Sequence, residues 1–136
     1  MRRFNKALWI VLGLFVVVAI FDRFPYPASF WLYTIALAGA VSITYYLFSQ
    51  QKTEAIALMG VFLIMLAFGA EDLIFYIIKG GFPATMSHLD NHRIIGTVSG
   101  FFGFEQVTKL SLFLSVLVGT GVSYLFLRKL NLGRVF

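Results

Sequence analysis

Four long apolar segments restrict what this sequence can fold into. They cover approximately residues 6–23, 28–49, 54–78 and 105–127. About 20 helical residues cross the hydrocarbon core of a bilayer, so each segment predicts a transmembrane helix. The chain is 60% hydrophobic and 12% charged, against about 25% charged residues in soluble domains. A chain of 136 residues cannot hide that excess in one small core. We therefore expect an all-α integral membrane protein, with residues 1–136 forming a single four-helix bundle.

The basic residues lie at the ends of the apolar segments and predict the orientation of the chain. With the N-terminus inside, seven lysines and arginines fall on the inner side and four on the outer side. The positive-inside rule then predicts that both termini are cytoplasmic. The net charge of +5 accordingly indicates contact with membrane lipids and no nucleic acid. The first segment ends at Phe21-Asp22-Arg23 without an Ala-x-Ala cleavage site, so we expect an uncleaved first span.

The segment at about 88–104, before the last span, is harder to assign. Its apolar part, 94–104, has only 11 residues, and Gly96, Gly100 and Gly103 interrupt it. This length is too short to cross a bilayer, which predicts an interfacial or re-entrant helix packed against protein. The alternative is an N-terminal extension of the last helix with a kink at a glycine.

Two adjacent carboxylates, Glu71 and Asp72, interrupt the third apolar segment. An acidic residue at the bilayer centre costs roughly 2.5–3.5 kcal/mol, which makes it a candidate functional residue. Glu71 follows Glu54 by 17 residues, which places it roughly 25 Å into a core of about 30 Å. Neighbouring helical residues point about 100° apart, and we expect Glu71 to face the interior and Asp72 to face Tyr76, Lys79 or water. The alternative is that both acids end a packed helix near water.

The loop after this span contains His88, Asp90 and His92. Two histidines four residues apart share a helical face, and in an extended segment all three side chains share one face. Either arrangement suits a divalent metal ion, with Glu71 as a further ligand. The same groups could perform acid–base chemistry without metal, or the histidines could contact only water. Ser87 followed by Asp90 resembles a capping box.

These residues together predict a site near the outer leaflet that acts on a lipid or another apolar substrate. The predicted catalytic residues are Glu71, Asp72, His88, Asp90 and His92. The predicted metal ligands are His88, Asp90, His92 and Glu71. The predicted substrate-binding residues are Arg93, Lys109 and Tyr76. The sequence contains no phosphate-binding loop or nucleotide fingerprint.

Two other classes of function stay open. One is an oligomeric ion or proton transport protein in which Glu71 lines a shared path. The other is a non-catalytic accessory subunit of a membrane complex. Ser111, Ser115, Gly119 and Ser123 recur every four residues, and such a stripe of small residues lets helices approach closely. The stripe could join a second copy of the chain or a partner membrane subunit.

The segment Glu71-Asp72-Leu73-Ile74-Phe75-Tyr76 resembles the Glu-Glu-x-x-Phe-Phe helix of the small membrane lycopene cyclase domains. The resemblance covers one helix end, lacks the proline that precedes that motif, and leaves residues 88–92 unmatched. It implies acidic side chains in a bundle of short spans acting on an apolar polyene.

Overall fold

The computed structural model describes the main chain of residues 2–21 and 30–132, and the side chains of 9–20 and 32–132. These residues form helices and turns and contain no strand, which confirms the all-α fold. The helices are α1 (Arg2–Phe21), α2 (Phe30–Ser49), α3 (Lys52–Ala67), α4 (Ala70–Lys79), α5 (Ser87–Asp90), α6 (Arg93–Phe101) and α7 (Lys109–Lys129). The proline-containing turn at 24–27, which ends the first predicted span, lies outside the described residues.

Two of the helices are long and apolar enough to cross a membrane, namely α2 over Leu32–Ser49 and α7 over Lys109–Lys129. A third candidate is the pair formed by α3 and α4, which meets the same criteria only when the two are taken together. In α1 the apolar part within the described side chains is Trp9–Ile20. This set of helices is compatible with a membrane protein.

The third predicted span, 54–78, consists of two helices bent by 69° relative to each other. The bend lies at Phe68 and Gly69, where Gly69 adopts the left-handed conformation with φ +85°. A Cβ atom at Gly69 would lie 2.7 Å from Leu112 Cδ1, so both the conformation and the close packing favour glycine. Because of the bend, the roughly 15 Å length of α4 advances only about 5 Å along the axis of α3.

Two apolar clusters hold the helices together. The larger one joins α1, α2, α3 and the end of α7, and its centre is the stacked ring pair of Phe15 and Phe62, with centroids 4.7 Å apart. The smaller one joins α4, α5, α6 and the start of α7 around Met86, Ile95 and Leu112. The smaller cluster therefore supports the region in which the sequence places its candidate site.

The chain between α4 and α7 is folded by local backbone signals. Gly80, with φ +82°, ends α4 and donates to the carbonyl of Tyr76. The helix α6 has 9 residues, too few to cross a bilayer, and a turn at Phe102 and Gly103 separates it from α7. A capping box between Thr108 and Ser111 starts α7. The capping box predicted at Ser87 is wrong, because Met86 precedes α5 and makes no side-chain capping bond.

Candidate functional site

Asp72 and His88 approach each other where α4 meets α5. The Asp72 Oδ1 and His88 Nε2 atoms are 4.0 Å apart, and the side chains are 18% and 57% exposed. This distance is too long for a direct hydrogen bond, but acid–base pairs in ligand-free sites are often long and tighten around a substrate. A carboxylate beside a solvent-accessible imidazole can orient the ring for proton transfer.

Aromatic rings lie beside His88. The ring of Tyr76 lies 6.4 Å from that of His88 and 5.4 Å from that of Phe82, measured between centroids, and Tyr76 contacts Phe75 edge to face at 5.2 Å. Tyr76 is 7% exposed and belongs to the smaller apolar cluster, against which Phe75 and Phe82 pack. Tyr76, predicted to bind substrate, therefore supports the imidazole from within the protein, and the half-buried rings of Phe75 and Phe82 provide the apolar surface.

Two lysines complete the rim of the same surface. Lys109 Nζ lies 5.0 Å from the centroid of Phe82, and Lys79 Nζ lies 5.7 Å from that of Phe75. Both distances are within the range of cation–π contacts. We call the group of Asp72, Phe75, Tyr76, Lys79, Phe82, His88 and Lys109 the Asp72–His88 site.

The site residues predicted from the sequence do not include Phe75, Lys79 and Phe82, although the sequence predicts Lys79 as a neighbour of Asp72. A signal for the first two is present in the sequence, because Asp72, Phe75, Tyr76 and Lys79 have the spacing i, i+3, i+4, i+7. Residues at that spacing lie on one face of a helix. Phe82 follows the end of α4, and no periodic pattern indicates its position.

Asp90 has a structural partner. Its Oδ1 accepts a hydrogen bond of 2.7 Å from the main-chain N–H of Val107, and the carbonyl of Val107 accepts one of 2.8 Å from the N–H of Met86. The loop that contains α5 is thereby attached to the segment before α7. This bond occupies one of the carboxylate oxygens that the predicted catalytic and metal-binding roles require.

His92 lies apart from His88. The helix α5 ends at Asp90, and His92 is the extended residue that precedes α6. It lines a cavity of about 410 Å³ with Leu63, Leu66 and Ala67 of α3. Burial lowers the pKa of His92 below its ordinary value. The two histidines therefore occupy different surroundings, and the shared face that was predicted for them does not form.

The predicted metal ligands do not converge. Within the described part of the chain, no three side chains of histidine, cysteine, aspartate or glutamate gather in a way that could hold a metal ion. His88, Asp90, His92 and Glu71 therefore do not form a common ligand set in this fold.

Glu71 is buried, with 4% of its surface exposed. It lies in the first turn of α4, which packs mainly against α1. As expected from the helical phase, Glu71 is the more buried of the two adjacent acids. Its burial within one chain gives no support to a path shared between copies, and that path stays a prediction.

The remaining candidates lie at the edge of the site or inside the bundle. Arg93 is exposed at the first residue of α6. The small-residue stripe is covered within the chain, where α7 packs against α3. Docking of a second copy or a partner subunit through the stripe stays a prediction that would require α7 to separate from α3.

Comparisons of the chain with protein-family models, with curated proteins and with solved structures found no match. The resemblance of the 71–76 segment to lycopene cyclase domains therefore stays a prediction.

Proposed function

We propose that the chain is a four-span membrane protein with cytoplasmic termini that carries out acid–base chemistry at the Asp72–His88 site. The observation that carries this proposal is the pairing of His88 with Asp72 on an accessible surface. In the proposed orientation this surface faces the outer leaflet. This proposal assigns the acid–base chemistry to Asp72 and His88, and it leaves out Glu71, Asp90 and His92, which the sequence also predicts as catalytic residues.

In this proposal each group of the site has a separate task. His88 takes a proton from the substrate or gives one to it, because a histidine side chain titrates near neutral pH. Asp72 orients the imidazole. Lys79 and Lys109, which are held over the rings of Phe75 and Phe82, would attract an anionic group of the substrate.

The substrate class follows from the position of the site. The ring of Tyr76 lies beside the imidazole and against the ring of Phe82, and α4 is bent by 69° relative to α3. A molecule that approaches from the membrane surface would place its apolar part against the half-buried rings of Phe75 and Phe82 and its anionic part near the lysines that lie over them. We therefore propose a lipid or a related amphiphile as the substrate.

The experiment compares lipid extracts, by mass spectrometry, from cells that express the wild-type chain, His88→Gln, Asp72→Asn or His92→Gln. The wild-type chain should change the abundance of at least one lipid species. His88→Gln should abolish the change, because a general acid–base residue contributes about 10²–10⁴-fold. Asp72→Asn removes only the group that orients His88 and should reduce the change less, by at least about tenfold. His92→Gln is the matched control and should behave as the wild type. An equal effect of both histidine substitutions would contradict the proposal, as would identical lipid profiles in all strains.

A further inference from the structure

A deep groove opens between α1, α3, α4 and α7. Its volume is about 670 Å³, and apolar side chains line almost all of it. Pockets that bind small ligands have volumes of about 300–1,000 Å³ and are mostly apolar with a few polar groups. The groove therefore has the size and the lining of a ligand site.

The groove is separate from the Asp72–His88 site. Ala70 and Ile74 of α4 line the groove, whereas Asp72 and Tyr76 of the same helix face His88. Positions two residues apart on a helix point about 200° away from each other. The groove and the imidazole therefore lie on different faces of α4, and Leu73, which also lines the groove, lies between the two faces.

The α7 wall of the groove is comparable in length to one leaflet. It extends from Val116 to Leu127, which corresponds to roughly 16 Å at 1.5 Å per residue, and one leaflet contributes about half of a 30 Å hydrocarbon core, or about 15 Å. The part from Ser123 to Val116 covers roughly 10 Å, which is enough for most of an acyl chain within that leaflet.

One polar group lies buried in this apolar wall. Ser123 is 5% exposed and lines the groove, and within the described residues its hydroxyl has no hydrogen-bond partner. The neighbouring Thr120 differs, because its hydroxyl donates to the carbonyl of Val116 at 2.9 Å. A buried hydroxyl without a partner is costly, and the ester carbonyl of a lipid is a suitable acceptor for it.

A positively charged residue, Arg128, lies beyond Ser123 at the end of the groove formed by the last turns of α7. Gly121 and Tyr124 line the groove, and Arg128 continues their helical face at the spacing i, i+3, i+7. Arg128 is exposed and lies five residues beyond Ser123, which is about 7–8 Å along the helix. The polar layer of each leaflet is about 5–8 Å thick. The rise along the helix therefore places Arg128 within the polar layer when Ser123 lies at the boundary of the hydrocarbon core. Five residues also turn the helix by about 140°, so the guanidinium would reach a phosphate from the edge of the groove formed by Gly121 and Tyr124.

We propose that the groove is a binding site for an anionic phospholipid of the membrane. One acyl chain lies along α7 against Val116 and Thr120, the ester carbonyl accepts a hydrogen bond from Ser123, and the phosphate contacts Arg128. The proposal rests on the membrane placement proposed above and is independent of any reaction at His88.

The test uses the full chain in phosphatidylcholine vesicles that contain a small amount of lipid with a spin label near the end of one chain. Electron paramagnetic resonance measures the immobilised fraction for labelled phosphatidylglycerol and, separately, for labelled phosphatidylcholine. The wild-type chain should immobilise phosphatidylglycerol at least about threefold more strongly. Equal immobilisation of the two lipids would overturn the proposal.

Gly121→Phe tests the groove itself. A Cβ atom at Gly121 would meet nothing within 4 Å, and Gly121 lines the groove, so a bulky side chain at this position should occupy space that the lipid would use. It should abolish the selectivity for phosphatidylglycerol. Val122→Phe, at a neighbouring position that is 38% exposed, is the matched control and should keep the selectivity. Unchanged selectivity in Gly121→Phe would contradict the proposal.

Two further substitutions test the proposed contacts of Arg128 and Ser123 one at a time. Arg128→Gln should remove the preference for phosphatidylglycerol over phosphatidylcholine while a chain is still immobilised. Ser123→Ala should weaken the binding of both lipids by about two- to tenfold, the equivalent of one hydrogen bond. Failure of the chain to float with vesicles would overturn the membrane placement and this proposal together, whereas loss of selectivity alone would overturn only the lipid site.

Discussion

Ser115 Oγ donates a hydrogen bond of 2.9 Å to the main-chain carbonyl oxygen of Phe68, 47 residues earlier in the chain. The end of a helix leaves carbonyl groups without intrahelical partners, and in hydrocarbon no water can replace them. The bend between α3 and α4 creates such a carbonyl, and a side chain of α7 satisfies it. The small-residue stripe of α7 thus supports the bent helix pair.

Replacement of Ser115 by alanine should therefore destabilise the protein. The substitution leaves the buried carbonyl of Phe68 without this donor, and hydrogen bonds between membrane helices contribute on average about 0.6 and at most about 1.7 kcal/mol. We expect a loss of about 1 kcal/mol in the free energy of unfolding, measured by titration with sodium dodecyl sulfate in detergent without added lipid. Ser123→Ala is the matched control, because that hydroxyl has no partner among the described residues. A similar loss in both variants would contradict the assigned role of Ser115.

Gly119 should tolerate a methyl group less well than Gly60. A Cβ atom at Gly119 would lie 2.6 Å from Phe68 Cβ, which is fixed to the main chain. At Gly60 the added atom would instead meet the far end of the Phe126 ring, which can rotate away. Overpacking costs typically 1–3 kcal/mol, and we expect Gly119→Ala to fall in that range and Gly60→Ala below about 1 kcal/mol. The same unfolding titration measures both, and the reverse order would refute the packing argument.

Asp90 should hold the loop that contains α5 in place through its hydrogen bond with the main-chain N–H of Val107. A hydrogen bond to a charged group contributes about 1.5–3 kcal/mol, so Asp90→Ala should release the loop that contains α5 from the start of α7. Hydrogen–deuterium exchange at the Val107 amide should become faster, while the amides of α2 keep their protection. Asp90→Asn retains an acceptor oxygen and should exchange more slowly than Asp90→Ala. Unchanged exchange in the alanine variant would show that the carboxylate does not hold this loop.

The helical phase of the third segment is enough to predict which acid is buried. Glu71 and Asp72 are adjacent, and only Glu71, at the interior position, is buried. The same phase places Asp72, Phe75, Tyr76 and Lys79 on one face. The stop at Gly80 is also readable from the glycines and the proline that follow the apolar run.

The bend at Gly69 and the separation of His88 from His92 depend on contacts between residues that are distant in the sequence. Glycine within an apolar helix is common, and the bend at Gly69 depends on Ser115 and Leu112 of α7. Likewise, His88 and His92 separate because Asp90 bonds to Val107, 17 residues later, while α5 has only four residues. Spacing along the chain cannot indicate such a partner, so the predicted metal site joined residues that the fold keeps apart.

His92 should make the stability of the protein depend on pH. Because burial lowers its pKa in the folded state, the unfolded chain binds more protons once the pH falls toward about 6.5, the ordinary histidine value. Stability is therefore complete above that value and decreases as the pH falls through the pKa of the folded state. Between about pH 8 and about pH 5.5, which bracket the ordinary value, the wild-type chain should lose more thermal stability than His92→Gln. Between about pH 7.5 and about pH 9, where histidine is neutral, the melting curves of the two proteins should shift in parallel. Equal losses at acid pH would show that His92 does not carry the effect.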